Sequence, residues 1–554
     1  MSGQGPLIIQ SDHTILLEVA HPSYRECRDF LSRFAELVKS PEFMHTYRLT
    51  PLSIWNAMAL SMTSDEIIQG LEVYSKYPIP GNVTAAVSEW AGIYGQLVLE
   101  KKSDEALYLG IKDELIFKRL LENQDLQPFW SEISGQGFVI TPDLRGELKH
   151  KLIKFGYPVQ DLCGYIPGEP LEVKLQAAGS DGRSFTLRPY QHEAVQAFYQ
   201  SGRAAGGSGI VVLACGSGKT IVGMGVMDKV GAQTLIITTN NVSIHQWRHE
   251  LLTRTNLQED MVGEFNAHAR DIRPVTLTTY QMLTYRRSKE GNFANLSLFT
   301  QQNWGLIIYD EVHLLPAPVF RATSSIQAKR RLGLTATLVR EDGKEDDVFA
   351  LIGPKKYDLP WKMLEEQGFI AEAECIEYRL PLPPEEELSY AMAGKRQRFR
   401  IAAENSNKPR LVRELLEHHA GDSILIIGQY ISQVESIAKE LDISIITGKT
   451  RLEERNRLYQ EFREGSLNML VVSKVANFAV DLPDANVMLQ MSGTFGSRQE
   501  EAQRLGRILR PKTRPSLFYT LVSHNTDEQH FAANRQMFLV EQGYRYDIRY
   551  FKPD

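Results

Sequence analysis

Hydrophobic and polar positions follow two different rhythms along the chain. Up to about residue 170, short strand-like runs mix with amphipathic helical stretches. From about residue 181, apolar residues gather into the runs GIVVLAC, TLIITT, PVTLTTY and GLIIYD, each followed by a helical segment. Unbroken apolar runs alternating with helices are the mark of βαβ units around a parallel sheet buried on both faces. The rhythm recurs after residue 420 in SILIIGQ, NMLVVSK, ANVMLQM and SLFYTLV. The pattern therefore predicts two similar α/β domains in tandem with parallel sheets, preceded by smaller α+β accessory domains. Residues 1–102 read as one accessory domain, in which DHTILLEVAHP is strand-like and SRFAELVKS helical. Residues 103–180 read as a second, with strand-like LYLGI and GFVITP and a Gly/Pro-rich end, CGYIPGEP, that looks like a linker. The two α/β domains are then expected at 181–358 and 359–554.

Length supports the division, because 554 residues exceed the roughly 250–300 that one core can serve. With 43% hydrophobic and 23% charged residues and no low-complexity tract, the chain is expected to fold throughout. Cys27, Cys163, Cys215 and Cys375 form no C-x-x-C pair, which argues against a zinc site or a disulfide framework and fits a reducing, cytoplasmic setting. The start, MSGQGPLIIQSDHT, lacks the basic-then-apolar order of a signal peptide, and no apolar run is long enough for a membrane span. A net charge of -6 argues against binding nucleic acid by bulk electrostatics, so any DNA contact must be local. The basic clusters Arg145–Lys154, Lys329–Arg331 and Lys395–Arg400, each taken alone, read as solvated surface.

Candidate chemistry concentrates at two strand ends. GIVVLAC runs into Gly216, Ser217, Gly218, Lys219 and Thr220 and then into a helix. In that context glycines let backbone amides approach phosphates, the helix N-terminus adds positive potential, and an exposed Lys219 is expected to reach the β and γ phosphates of ATP while Thr220 ligates Mg2+. Leu213 stands where the strict phosphate-loop pattern has its first glycine. The strand LIIY delivers Asp310, Glu311, Val312 and His313 at its carboxyl end, where ligands bind in open α/β sheets. Asp310 suits magnesium, and Glu311 suits polarising the attacking water. In the second α/β domain, Gln503, Arg507 and Arg510 share one helical face, the arrangement that arginine fingers across a cleft require. Cys215 reads as a packed small residue, His313 as a candidate bridge from ATP to a coupling motif, and Trp247 as a buried helix-face residue.

Taken together these strings resemble superfamily 2 helicases, and within them the XPB family, over nearly the whole chain. The resemblance rests on LRPYQ (187–191), LACGSGKT, the DEVH box, LGLTATLVRED (332–342), SKVANFAVDLPDAN (473–486), GTFGSRQEEAQRLGRILRPK (493–512) and RQMFLVEQGY (535–544). It implies RecA-like motor domains, with Arg188 and Gln191 recognising adenine and Thr335 and Thr337 coupling hydrolysis to domain movement. It further implies DNA-backbone contacts at Thr278, Thr279, Ser473 and Lys474, and a wedge at Arg340, Glu341 and Asp342. Residues 384–406 would be a thumb-like insertion and 103–170 a damage-recognition-like domain. Where eukaryotic members tend to have Gly-Asp-Thr-Ser, this chain has Ala476, Asn477, Phe478 and Ala479. The function implied is a 3′ to 5′ DNA helicase or double-strand translocase in DNA repair. DNA is the expected partner, with a nuclease or repair protein as a second, and the chain is expected to be a monomer. An RNA helicase would share most motifs but would normally carry DEAD or DEAH and lack the RED loop. A binding module, toggled by ATP without bulk unwinding, is the reading from another class.

Overall fold

The computed structural model describes residues 5–553 except 41–42, 178–184, 287–292, 328, 337, 339–343, 474–484, 494–500, 502–503, 507 and 510–514. The two apolar rhythms become two seven-stranded sheets. In the first the spatial order is Val262–Phe265, Val275–Thr279, Thr234–Thr238, Leu306–Asp310, Arg330–Thr335, Ser208–Val212 and Lys355–Asp358. In the second it is Ile445–Ile446, Met469–Ser473, Ile424–Gly428, Val487–Gln490, Ser516–Ser523, Ala373–Leu380 and Tyr546–Tyr550. All pairings in both are parallel, as a sheet covered by helices on both faces requires. The inner strands are buried at nearly every position, Thr234–Thr238 and Ile424–Gly428 throughout.

The N-terminal portion holds an antiparallel four-stranded sheet, Leu7–Ile9, Thr14–Glu18, Met44–Arg48 and Glu36–Lys39, with three helices after it, Pro51–Ala59, Ser64–Tyr74 and Gly81–Ile93. The stretch SRFAELVKS, expected to be helical, instead supplies the strand Glu36–Lys39. Leu37 pairs with Tyr47 and both are buried, so partners distant in sequence override the local helical spacing. A second sheet of five strands follows, and its hairpin Leu97–Lys101 with Leu107–Ile111 straddles residue 102.

These pieces touch one another directly. From the N-terminal sheet domain, Arg28 Nη1 donates to Gly543 O at 3.1 Å and Met537 and Val540 enter its core, while Asn56 Oδ1 accepts from Lys355 N at 3.2 Å. It thus contacts both α/β domains. Those domains meet each other too: Trp361, Leu364, Leu505 and Ile508 share one apolar cluster with the first domain's Leu213 and Val222.

Candidate nucleotide-binding and catalytic site

The strand Ser208–Val212 carries the chain to the carboxyl edge of the first parallel sheet. Leu213 remains in the core there, its amide bonded to Thr335 O at 3.0 Å, so the position that lacks the expected glycine is a packing position. The loop turns after it. Gly216 and Gly218 have φ of +78° and +85°, a region L side chains avoid, and a Cβ on Gly218 would lie 2.6 Å from Gln191 Nε2. Helix Lys219–Val230 begins at once, with Gly218 as N-cap. Its first amides and positive end therefore face the concave side of the loop.

Asp310 ends the neighbouring strand, and Glu311 follows with φ +50°, a left-handed conformation rare for a residue with a side chain and typical of functional turns. Glu311 Oε1 lies 3.4 Å from Lys219 Nζ, and its Oε2 lies 3.5 Å from His313 Nδ1. His313 Nδ1 also meets Thr335 Oγ1 at 2.7 Å, which links the DEVH turn to the strand leading into the coupling motif. Lys219, expected to be exposed, is instead mostly buried, with 11% of its side chain accessible, because Glu311 draws its ammonium down onto the sheet edge. Trp247, 1% exposed, donates its indole N–H to Asp310 Oδ2 at 2.9 Å. The sequence placed Trp247 on a buried face and nothing there signalled this bond.

Burial sets the charges in opposite directions. For Asp310 burial dominates, reinforced by repulsion from Glu311, and its carboxyl is raised above the usual range. Burial also works against the charge on Glu311, yet Lys219 and His313 together hold that carboxyl below the usual range. Lys219 is raised, because Cys215, Glu311 and Asp310 outweigh its burial. The two adjacent carboxyls are thus pushed apart, Asp310 upward by burial and Glu311 downward by its cationic neighbours. Thr220 and Asp310 bring the hard oxygens that magnesium prefers, and the glycine cradle, helix end and Lys219 suit a polyphosphate.

Arg188 and Gln191 open helix Pro189–Tyr199 beside this loop. Gln191 Nε2 and Tyr190 Oη both donate to Ser217 O, at 2.9 and 2.6 Å. Arg188 Nη1 donates to Phe369 O at 3.2 Å, and its guanidinium lies 5.4 Å from the Phe369 ring centre. Tyr190 and Phe369 are further members that sequence reasoning missed. From the second α/β domain, Gly506 comes against Cys215, close enough that a Cβ on Gly506 would lie 2.2 Å from Cys215 Cβ. Arg504, Leu505 and Gly506 are helical, but Gln503, Arg507 and Arg510 lie outside the described residues, as do Thr337, Arg340, Glu341, Asp342 and Lys474.

The structure turns other expected contacts inward. Thr278 Oγ1 donates to Phe265 O at 2.8 Å, and Thr279 Oγ1 accepts from Met282 N at 3.0 Å as a helix cap. Both are buried because they close a strand that is covered on both faces, so their hydroxyls are engaged inside the protein. Ser473 Oγ is buried at the end of its strand with no hydrogen-bond partner among the described residues. Two basic clusters also depart from the solvated reading: Arg145 and Lys149 both bind Asp161 at 2.8 Å, and Arg331 is fully buried. The segment Lys395–Arg400 is largely exposed, apart from Phe399.

Comparison with known proteins bears on the whole chain. The family described as ERCC3/RAD25/XPB C-terminal helicase matches residues 364–550, and that described as type III restriction enzyme, res subunit, matches 184–340. A helicase conserved C-terminal domain family matches 7–132, a region that here forms the N-terminal sheet domain and part of the next. The DNA 3'-5' helicase XPB of Kineococcus radiotolerans is 50% identical over 98% of this chain and 96% of its own length. The chain belongs to the XPB family. The protein of the same description from Mycobacterium tuberculosis is 48% identical over 98% of each chain. A general transcription and DNA repair factor IIH helicase/translocase subunit XPB from Enterocytozoon bieneusi is 33% identical over 98% of this chain and 92% of that one. The two parallel-sheet domains are its tandem RecA-like domains. Among the described residues no helix is long and apolar enough to cross a membrane.

Proposed function

We propose that this protein is an ATP-driven DNA 3′ to 5′ helicase or double-strand translocase acting in DNA repair. The observation that carries the reading is the linked set Lys219, Glu311, His313 and Thr335 at the carboxyl edge of one RecA-like sheet, with Gly506 of the other domain against Cys215. Lys219 and the loop amides hold the phosphates of ATP, which draw the ammonium away from Glu311 and leave that carboxylate to accept a proton from water. Thr220 and Asp310 hold magnesium, which supplies charge neutralisation at the phosphates when bound. Arg188 and Gln191 orient the adenine end, and Gln503, Arg507 and Arg510 approach from the second domain to stabilise charge in the transition state. His313 and Thr335, with Thr337 beyond, pass the change at Glu311 to the sheet edge and so to domain movement. Lys474 takes the DNA backbone, and Arg340, Glu341 and Asp342 part the strands. A base held beside Lys219 favours turnover over a mere binding switch, which needs none.

The test pairs two readouts on one preparation: ATP turnover with saturating duplex DNA, and displacement of a labelled strand from a 3′-tailed duplex. Both should occur in the native protein and both should vanish in Lys219→Ala. Turnover indifferent to DNA, or displacement that survives Lys219→Ala, would overturn the reading.

A further inference from the structure

At the opposite edge of the first RecA-like sheet, where its strands begin, three parts of the chain enclose a cavity of about 260 Å³. Met58 and Ser61 come from the N-terminal sheet domain, Lys149 and Asp161 from the second accessory sheet and its helix, and Ser208 and Lys356 from the RecA-like domain. The volume is near the lower end of small-ligand sites and far above what one water needs. Because Ser208–Val212 and Arg330–Thr335 run in parallel from this edge to the phosphate loop and Thr335, the cavity lies a strand's length, roughly 15 Å, from the nucleotide site. It is a separate place.

Its charge is unbalanced. Asp161 is shared by Arg145 and Lys149, each at 2.8 Å. Arg331, behind Ser208, donates to Ser208 Oγ at 2.9 Å and to the carbonyls of Leu351, Gln327 and Lys329. Lys356 Nζ donates to Ala205 O at 2.9 Å. Two lysines, Lys149 and Lys356, thus line the cavity with one carboxylate, Asp161, while Arg145 and Arg331 stand behind it; among the described residues no ion pair joins Arg331 or Lys356 to a carboxylate. Burial of uncompensated positive charge is costly unless an anion accompanies it. Lys149 and Lys356 are both held down to about 8, the first by burial against the pull of Asp161, the second by burial. Each ammonium has three N–H donors and spends one on the partner shown, so donors remain for a tetrahedral oxyanion.

We propose that this cavity binds a phosphate group, free or esterified, that fastens the two accessory parts to the first RecA-like domain. The carboxyl edge of the sheet would take the phosphates that are hydrolysed, and the amino edge one that is not.

Equilibrium dialysis of the full chain against labelled inorganic phosphate, at constant ionic strength, tests this with and without Lys219→Ala to remove the phosphate loop. Lys219→Ala should retain one bound phosphate per chain. Adding Lys356→Met should weaken that binding by about tenfold or more, as loss of a charge-assisted bond does, whereas Lys356→Arg should keep it. Lys356 is partly accessible, so both variants should fold, and unchanged melting in phosphate-free chloride would verify it. Displacement of the label by unlabelled AMP would assign the site to esterified phosphate; displacement by inorganic phosphate alone would assign it to the free anion. No phosphate retained in Lys219→Ala, or equal binding by Lys356→Met, would overturn the proposal.

Discussion

Trp247→Phe is the substitution that most sharply separates a positioning role from a packing one. The indole donates to Asp310 Oδ2 at 2.9 Å, and the other carboxylate oxygen accepts from Glu311 N at 3.1 Å. Gly223 fixes where the ring lies, since a Cβ there would be 2.5 Å from Trp247 Cη2. Phenylalanine keeps most of the apolar contact and removes only the donor. A hydrogen bond to an ionised acceptor is worth about 1.5–3 kcal/mol. If that bond serves to aim Asp310 at magnesium, its loss weakens magnesium-nucleotide binding by up to about 10- to 150-fold. The cost in stability should stay below the ~3–5 kcal/mol of removing a whole buried aromatic side chain. The assay is a magnesium titration of DNA-stimulated ATP turnover, with calorimetry of a non-hydrolysable nucleotide and a melting curve alongside. A magnesium midpoint unchanged in Trp247→Phe, with melting lowered, would refute the reasoning and leave Trp247 as core.

Three other outcomes are expected. Arg507→Ala and Arg510→Ala should each lower turnover by about 10³- to 10⁵-fold while changing nucleotide affinity far less, as read by calorimetry against single-turnover rates; equal losses would point to a ground-state contact. Lys408 and Glu528 form a buried pair at 2.9 Å with side chains 0% and 1% exposed, so Lys408→Met should cost about 3–5 kcal/mol in denaturant unfolding. Changing both to Met should restore much of it. His45, beneath Tyr24 in the N-terminal sheet, is lowered from 6.5 to about 4 by burial and then by Arg545 and Arg28. The unfolded chain therefore takes the proton first: its contribution is complete above about pH 6.5 and drains away as pH falls toward 4, by roughly 3 kcal/mol at most. Melting of His45→Asn across that window should be flatter than that of the native protein, and parallel curves would reject the assignment.

Much of this protein is legible in one dimension because its main elements are local and continuous. Runs such as TLIITT and SILIIGQ are apolar at nearly every position, which only strands buried on both faces require, and they appear as Thr234–Thr238 and Ile424–Gly428. The phosphate loop and the DEVH turn are likewise contiguous strings at strand ends, so Lys219, Asp310, Glu311 and His313 were named from sequence and meet in space. What escaped is what depends on partners far along the chain. SRFAELVKS has helical spacing, yet Glu36–Lys39 pairs with Met44–Arg48 as a strand. Trp247 and Asp310 are 63 residues apart, so no local pattern could foretell their bond. A run of Lys and Arg reads as solvated surface until folding brings a single carboxylate, Asp161, between Arg145 and Lys149 and closes Arg331 behind Ser208. The sequence by itself determined the two parallel sheets and the chemistry at their carboxyl edges, because periodicity and motif are properties of neighbouring residues. Only the tertiary structure decided which charges are buried, which are paired and what lies at the amino edge, because desolvation and Coulomb energy depend on distances through space that sequence separation does not specify.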